Sequence, residues 1–137
     1  MASNGTEMAP IAPITAQISV PPYTLFCHIT IFPKSATANA IISQPVVVNV
    51  TTTESGASPL SALVYAIPRP TGPALTSTLF GGMTSESQES LEFATRLARY
   101  AAKKTSRPVY AGATVGGFLP QVEAVEKVTA VIEQSVV

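Results

Sequence analysis

The chain of 137 residues carries only one cysteine and one histidine. A lone Cys27 excludes an internal disulfide and fits a reducing compartment. One Cys and one His also fall short of the roughly four nitrogen, sulfur or carboxylate ligands of an ordinary zinc site, so no metal or other cofactor is expected. His28 lacks partners too. A nucleophile triad needs an acid and a Ser or Cys beside the imidazole in space, and Cys27, next to it in the chain, would point to the opposite face of a strand. Both read as structural residues, and no catalytic residue is assigned. Charge is scarce: Asp, Glu, Lys and Arg make up 12% of the chain, against the usual roughly 25%. A small domain so poor in charge has uncharged surface to hide, which favours a protein partner. Net charge is zero, so bulk electrostatics gives no pull toward nucleic acid or anionic lipid. No apolar run approaches the roughly 20 residues of a membrane helix. Residues 1–20 lack the basic and compact apolar regions of a signal peptide. The expected setting is therefore cytoplasmic and nuclear, with the sequons at Asn4 and Asn49 unused.

What is present is organised around residues 75–110. Glu89, Glu92, Arg96, Arg99 and Lys103 follow at spacings of three and four and form one charged stripe of a helix. Leu91, Ala94, Leu97, Ala98 and Ala101 fall opposite and are expected to face a core. Ser85 with Gln88 fits a capping box. Glu92 and Arg96 form an i,i+4 pair, and acids before bases suit the helix dipole. Pro108 stops the helix.

Around this helix the remaining segments read mostly as strands. Residues 1–21, rich in Ala, Ser, Thr and Pro, are expected to be a flexible tail loosely laid on the surface, with residues 22–137 forming one domain. Residues 25–32 (LFCHITIF) are β-branched and aromatic and end at Pro33, which predicts a strand. Residues 34–44 are a loop or a strand extension. Residues 46–53 predict a strand, residues 54–59 a turn, and residues 60–67 a strand in preference to a short helix. After the loop 68–73 comes a strand over 75–80, in which Leu75, Ser77 and Leu79 alternate with Thr76, Thr78 and Phe80. Residues 109–115 predict another. Residues 120–134 fit a helical period better than a strand period, with Val122, Val125, Val128 and Ile132 on one face and Glu123 paired to Lys127. Short connections favour antiparallel pairing among the first four strands. The expected class is α+β: a mostly antiparallel sheet with two amphipathic helices on one face. The other face, carrying side chains such as Val47, Asn49 and Thr51 or their alternates, is left uncovered, and a second subunit is the natural cover.

Candidate chemistry is thin. Gly81-Gly82 and Gly116-Gly117 follow strands but match no phosphate-loop pattern; a glycine pair there is usually a turn. Before Ser85 the first pair could leave bare N–H groups for an anion, so a small enzyme or anion-binding protein using the glycine turns and the basic helix end is the alternative reading. Thr51, Thr52 and Thr53 are internal and unsuited to an N-terminal threonine nucleophile. Arg96, Arg99, Lys103, Lys104 and Arg107 hold five of the eight basic residues, a solvated helix face or a protein-docking patch. Phe93 and Tyr100 border that stripe, and semi-exposed aromatics beside arginines suit a contact surface.

Together the segments LTSTLFGG (75–82), RLAR (96–99), Lys104-Thr105 and the closing amphipathic stretch, with FCHITIF, VVVNV and LSALVYAI upstream, resemble the proteasome assembly chaperone 4 family over residues 23–134. A longer loop between the first two strands, extra residues before Lys103-Lys104 and the proline-rich insert at 68–73 depart from its pattern. The resemblance implies a non-enzymatic assembly factor that pairs with proteasome assembly chaperone 3 and binds 20S proteasome α subunits during α-ring assembly. It implies sheets stacking across a dimer, and it admits a homodimer when the protein is alone. Partner-binding residues are then expected on the helix stripe (Phe93, Arg96, Arg99, Tyr100, Lys103) and on the uncovered sheet face (Val47, Asn49, Thr51).

Overall fold

The computed structural model describes residues 13–32, 44–52, 60–116 and 119–135. Within them the strands are β1 (Ile14–Val20), β2 (Tyr23–Ile31), β3 (Val46–Thr51), β4 (Ala62–Ile67), β5 (Leu75–Gly81) and β6 (Val109–Thr114); the helices are α1 (Ser85–Thr105) and α2 (Gln121–Ser135). The strands make one sheet in the order β1-β2-β3-β6-β4-β5. The pair β3–β6 is parallel and all the others are antiparallel. The expected α+β class with a mostly antiparallel sheet is thus what the chain forms.

Two expectations about the strands need correction. Ile14–Val20 is an edge strand and not a loosely laid tail, paired with β2 from Ile14↔Ile29 to Val20↔Tyr23. Its alternation explains this: Ile18 and Val20 are buried, while Thr15, Gln17 and Ser19 stay exposed. Pro21 and Pro22 fall in the two-residue turn between the strands, where no ladder N–H is required. The second correction concerns order. β3 and β4 are not neighbours, because β6 lies between them. β6 is the strand with small side chains, and Val109, Ala111, Gly112 and Ala113 are all buried. Position 112 shows why one of them is glycine: a Cβ there would lie 3.0 Å from Leu60 Cδ1 and 3.1 Å from Asn49 Oδ1. The turn expected at 54–59 and most of the ambiguous segment 34–44 lie outside the described residues.

Both helices pack on one face of the sheet, α1 on β4, β5 and β6 and α2 on β1 and β2, and they touch each other. Val20, Leu25, Ile29, Val46, Val48, Val50, Val64 and Val109 point from the sheet into this layer, and Phe93, Leu97, Val128 and Ile132 meet them from the helices. Alanines line both sides of the α1 contact: Ala94, Ala98, Ala101 and Ala102 on the helix, Ala62, Ala66, Ala111 and Ala113 on the strands. The helical reading of residues 120–134 holds, and the Glu123–Lys127 pair forms at 3.0 Å. Val122, however, is 64% exposed, because it sits in the first turn of α2 beyond the sheet contact.

The cap of α1 is one residue earlier than Ser85-Gln88 suggested. Thr84 is the extended residue, and its hydroxyl accepts from Ser87 N at 3.1 Å. Ser87 Oγ accepts in return from Thr84 N at 2.9 Å. Serine at N3 here does the work that Glu or Gln does in the commoner box.

Candidate functional site

The pleat decides which side chains the helices leave uncovered. With Val46, Val48 and Val50 turned inward, Val47, Asn49 and Thr51 turn outward, the first of the two alternate sets the sequence allowed. The register extends this set into rows across the sheet. One row runs Thr30, Val47, Tyr110, Tyr65 and Ser77; the next runs His28, Asn49, Gly112, Leu63 and Phe80. Ile67 and Leu75 pair beside the first row. The half of this face nearer β5 is apolar. Tyr65 and Tyr110 pack at 4.4 Å between ring centroids, within the range of favourable aromatic pairs. Ile67, Leu75 and Phe80 around them are 44%, 54% and 55% exposed. The half nearer β1 is mostly polar and exposed, with Thr15, Gln17, Ser19, Thr24 and His28 around a half-buried Phe26.

Most of these apolar residues were not singled out by sequence reasoning. Their signal lay in β4, where Ala62, Val64 and Ala66 alternate inward and Leu63, Tyr65 and Ile67 outward. In β5 the alternation misleads. A register shift beside Leu63 and Val64 lets Thr78 pair with Val64 while Phe80 pairs with Leu63. One extra residue, Leu79, is accommodated there as in a β-bulge, so Phe80 joins Leu75 and Ser77 on the open face.

The helix stripe forms a separate surface on the other side of the sheet. Arg96, Arg99, Tyr100 and Lys103 line a groove of about 380 Å³ between α1, α2 and residues 73–74. Arg96 pairs with Glu92 at 2.8 Å, and Lys103 Nζ donates to Gly72 O at 3.0 Å. Tyr100 is 36% exposed with Lys104 Nζ 5.5 Å above its ring. Phe93 does not belong here. It is fully buried, which overturns its expected place beside the stripe: α1 buries about half its circumference, from Phe93 round to Ala102, because it meets both α2 and the sheet. The eight expected partner residues thus divide into two surfaces on opposite sides of the sheet, with Phe93 in neither.

The glycine turn offers little to an anion. Gly81 and Gly82 have φ of 112° and 89°, but Gly82 N already donates to Ser87 Oγ at 3.1 Å. Gly116 N donates to Thr52 Oγ1 at 3.1 Å, and Gly117 lies outside the described residues. Cys27 points into the core, where burial pushes its thiol up to about 12 from 9.0. It stays protonated and is no nucleophile near neutral pH. His28 is exposed on the opposite face, as strand alternation requires.

These surfaces offer contact more than chemistry. The fold matches a crystal structure of a novel chaperone complex for yeast 20S proteasome assembly with a TM-score of 0.56, covering 92% of each chain at 16% identity, a likeness of fold. A comparison with curated proteins returns no match. The family described as proteasome assembly chaperone 4 matches residues 24–115, from the start of β2 to the end of β6. That stretch contains the uncovered apolar face together with α1, and the chain belongs to the proteasome assembly chaperone 4 family.

Proposed function

We propose that the protein is a non-enzymatic chaperone of 20S proteasome assembly that pairs with proteasome assembly chaperone 3 through its open sheet face and holds α subunits while the α-ring forms. The observation that carries this reading is the apolar half of that face: Leu63, Tyr65, Ile67, Leu75, Phe80 and Tyr110 are contiguous across three strands. Covering a large apolar side chain contributes about 1.5–3 kcal/mol, so a partner sheet laid over such a cluster can offset the roughly 4–15 kcal/mol cost of association. The sheets then stack face to face across the dimer. Alone, the chain forms a homodimer through the same face, and it works in the cytoplasm and nucleus.

Tyr65→Glu and Phe80→Asp place a charge in the centre and at the margin of the face. Coexpression with proteasome assembly chaperone 3, followed by affinity purification and particle-mass measurement, should recover a heterodimer and α subunits with the native chain and no sister chain with the double variant. A native chain that stays monomeric beside equimolar chaperone 3 refutes the reading.

A further inference from the structure

The groove between the two helices lies across the sheet from the open face, so a partner on one leaves the other free. Its floor is apolar. Ala74 and Val125 are buried there, Tyr100 lies along it, and Val122 projects from the first turn of α2 with about two thirds of its surface exposed. Its α1 wall carries Arg96, Arg99 and Lys103, spaced by three and four residues and so spread over about 10 Å of one helix face. Two of these cations are engaged, Arg96 by Glu92 and Lys103 by a backbone carbonyl. Arg99 has no partner among the described residues. Glu126 is the one acid among the lining residues, leaving the groove net positive.

We propose that this groove binds an amphipathic helical segment whose apolar side chains enter between Tyr100 and Val122 and whose carboxylates, at i, i+3 and i+7, meet Arg96, Arg99 and Lys103. This is the helix-in-groove mode of recognition, with charge fixing register. The segment belongs to the α subunit being held, so the proposal rests on the reading above and gives it a second surface: sister chaperone on the sheet, client on the helices. Nucleic acid fits poorly, because one aromatic offers little stacking and Glu126 opposes phosphate.

The probes are two fluorescein-labelled helical peptides of equal length with a leucine seam, one carrying glutamate and the other lysine at the three charged positions. Fluorescence anisotropy with the full chain should show binding of the glutamate peptide, little of the lysine peptide, and weakening as salt rises. Arg99→Glu should reduce affinity about tenfold or more, and Val122→Asp should do the same by charging the apolar floor. Both variants should still purify with proteasome assembly chaperone 3 but lose the α subunits. Equal binding of the two peptides, unchanged affinity in both variants, or tighter binding of single-stranded DNA would overturn the proposal. A homodimer that Val122→Asp dissolves would assign the groove to a second copy and overturn it as well. If the groove variants keep their α subunits while Tyr65→Glu with Phe80→Asp loses the sister chain, the groove proposal fails and the pairing stands.

Discussion

Phe93 separates a contact reading of α1 from a core reading, so its truncation is the sharpest test of the fold. Its ring is fully buried between α1 and the sheet and is the largest of the fully buried side chains. The buried residues that flank it on α1, Ser90, Ala94 and Leu97, are held in the same packed layer and can fill only part of the space the ring would leave. Phe93→Ala should therefore cost about 3–5 kcal/mol, the range for a large-to-small change in a core that relaxes only in part. A chain of 137 residues has an unfolding entropy near 0.3 kcal/mol per degree at its midpoint, so Tm should fall by roughly 10–17 °C. Tyr100→Ala is the matched control: the ring is 36% exposed and gives up mainly the contact with Lys104, about 1 kcal/mol or less. Scanning calorimetry or thermal circular dichroism on both variants measures the difference. If Phe93→Ala melts within about 3 °C of the native chain while a partner contact disappears, the core assignment is wrong.

Other perturbations probe the frame around the two surfaces. Gly81→Ala combines a backbone at φ 112° with a Cβ only 2.5 Å from Ser61 O; it should cost about 3 kcal/mol and lower the urea midpoint by about 1–2 M. Thr84→Ala removes the acceptor for Ser87 N and should cost about 1 kcal/mol by chemical denaturation, with Thr84→Asn recovering most of it. Cys27 makes stability depend on pH in one direction. Its folded pKa, about 12, lies above its unfolded value of 9.0, so the stability it lends is complete below about pH 9 and drains away as pH climbs toward 12. The native chain should accordingly lose more stability between pH 9 and 11 than Cys27→Val does, and Cys27 should resist thiol reagents at pH 8 until urea is added.

The parts of the fold written in local periodicity were legible in the sequence. α1 announces itself through five charges on one stripe, and Val46–Thr51 through its β-branched run, although only the packing of Val46, Val48 and Val50 decides that Val47, Asn49 and Thr51 take the uncovered face. Phe93 was misplaced because a charged stripe marks the outside of a helix without saying how wide the inside is. Here two neighbours widen it. Ile14–Val20 was obscured by the prolines after it, which read as a break though they serve as a turn. The place of β6 was hidden for a different reason: strand order is set by contacts distant in sequence, such as Val46↔Val109 and Ala62↔Ala113, and no local pattern encodes them. The apolar half of the open face needed β5's register shift and the Tyr65–Tyr110 pairing, both products of register.

The middle position of β6 bears on how the protein is made. Translation delivers β1, β2 and β3 as one ribbon and β4 with β5 as another, and neither can join the other until residues 109–114 have cleared the ribosome and slid between them. Each ribbon meanwhile presents a raw inner margin, on β3 and on β4, of the kind that recruits stray strands. A factor that helps a larger particle to assemble thus spends its own synthesis with two bare seams, closed only when its last strand arrives.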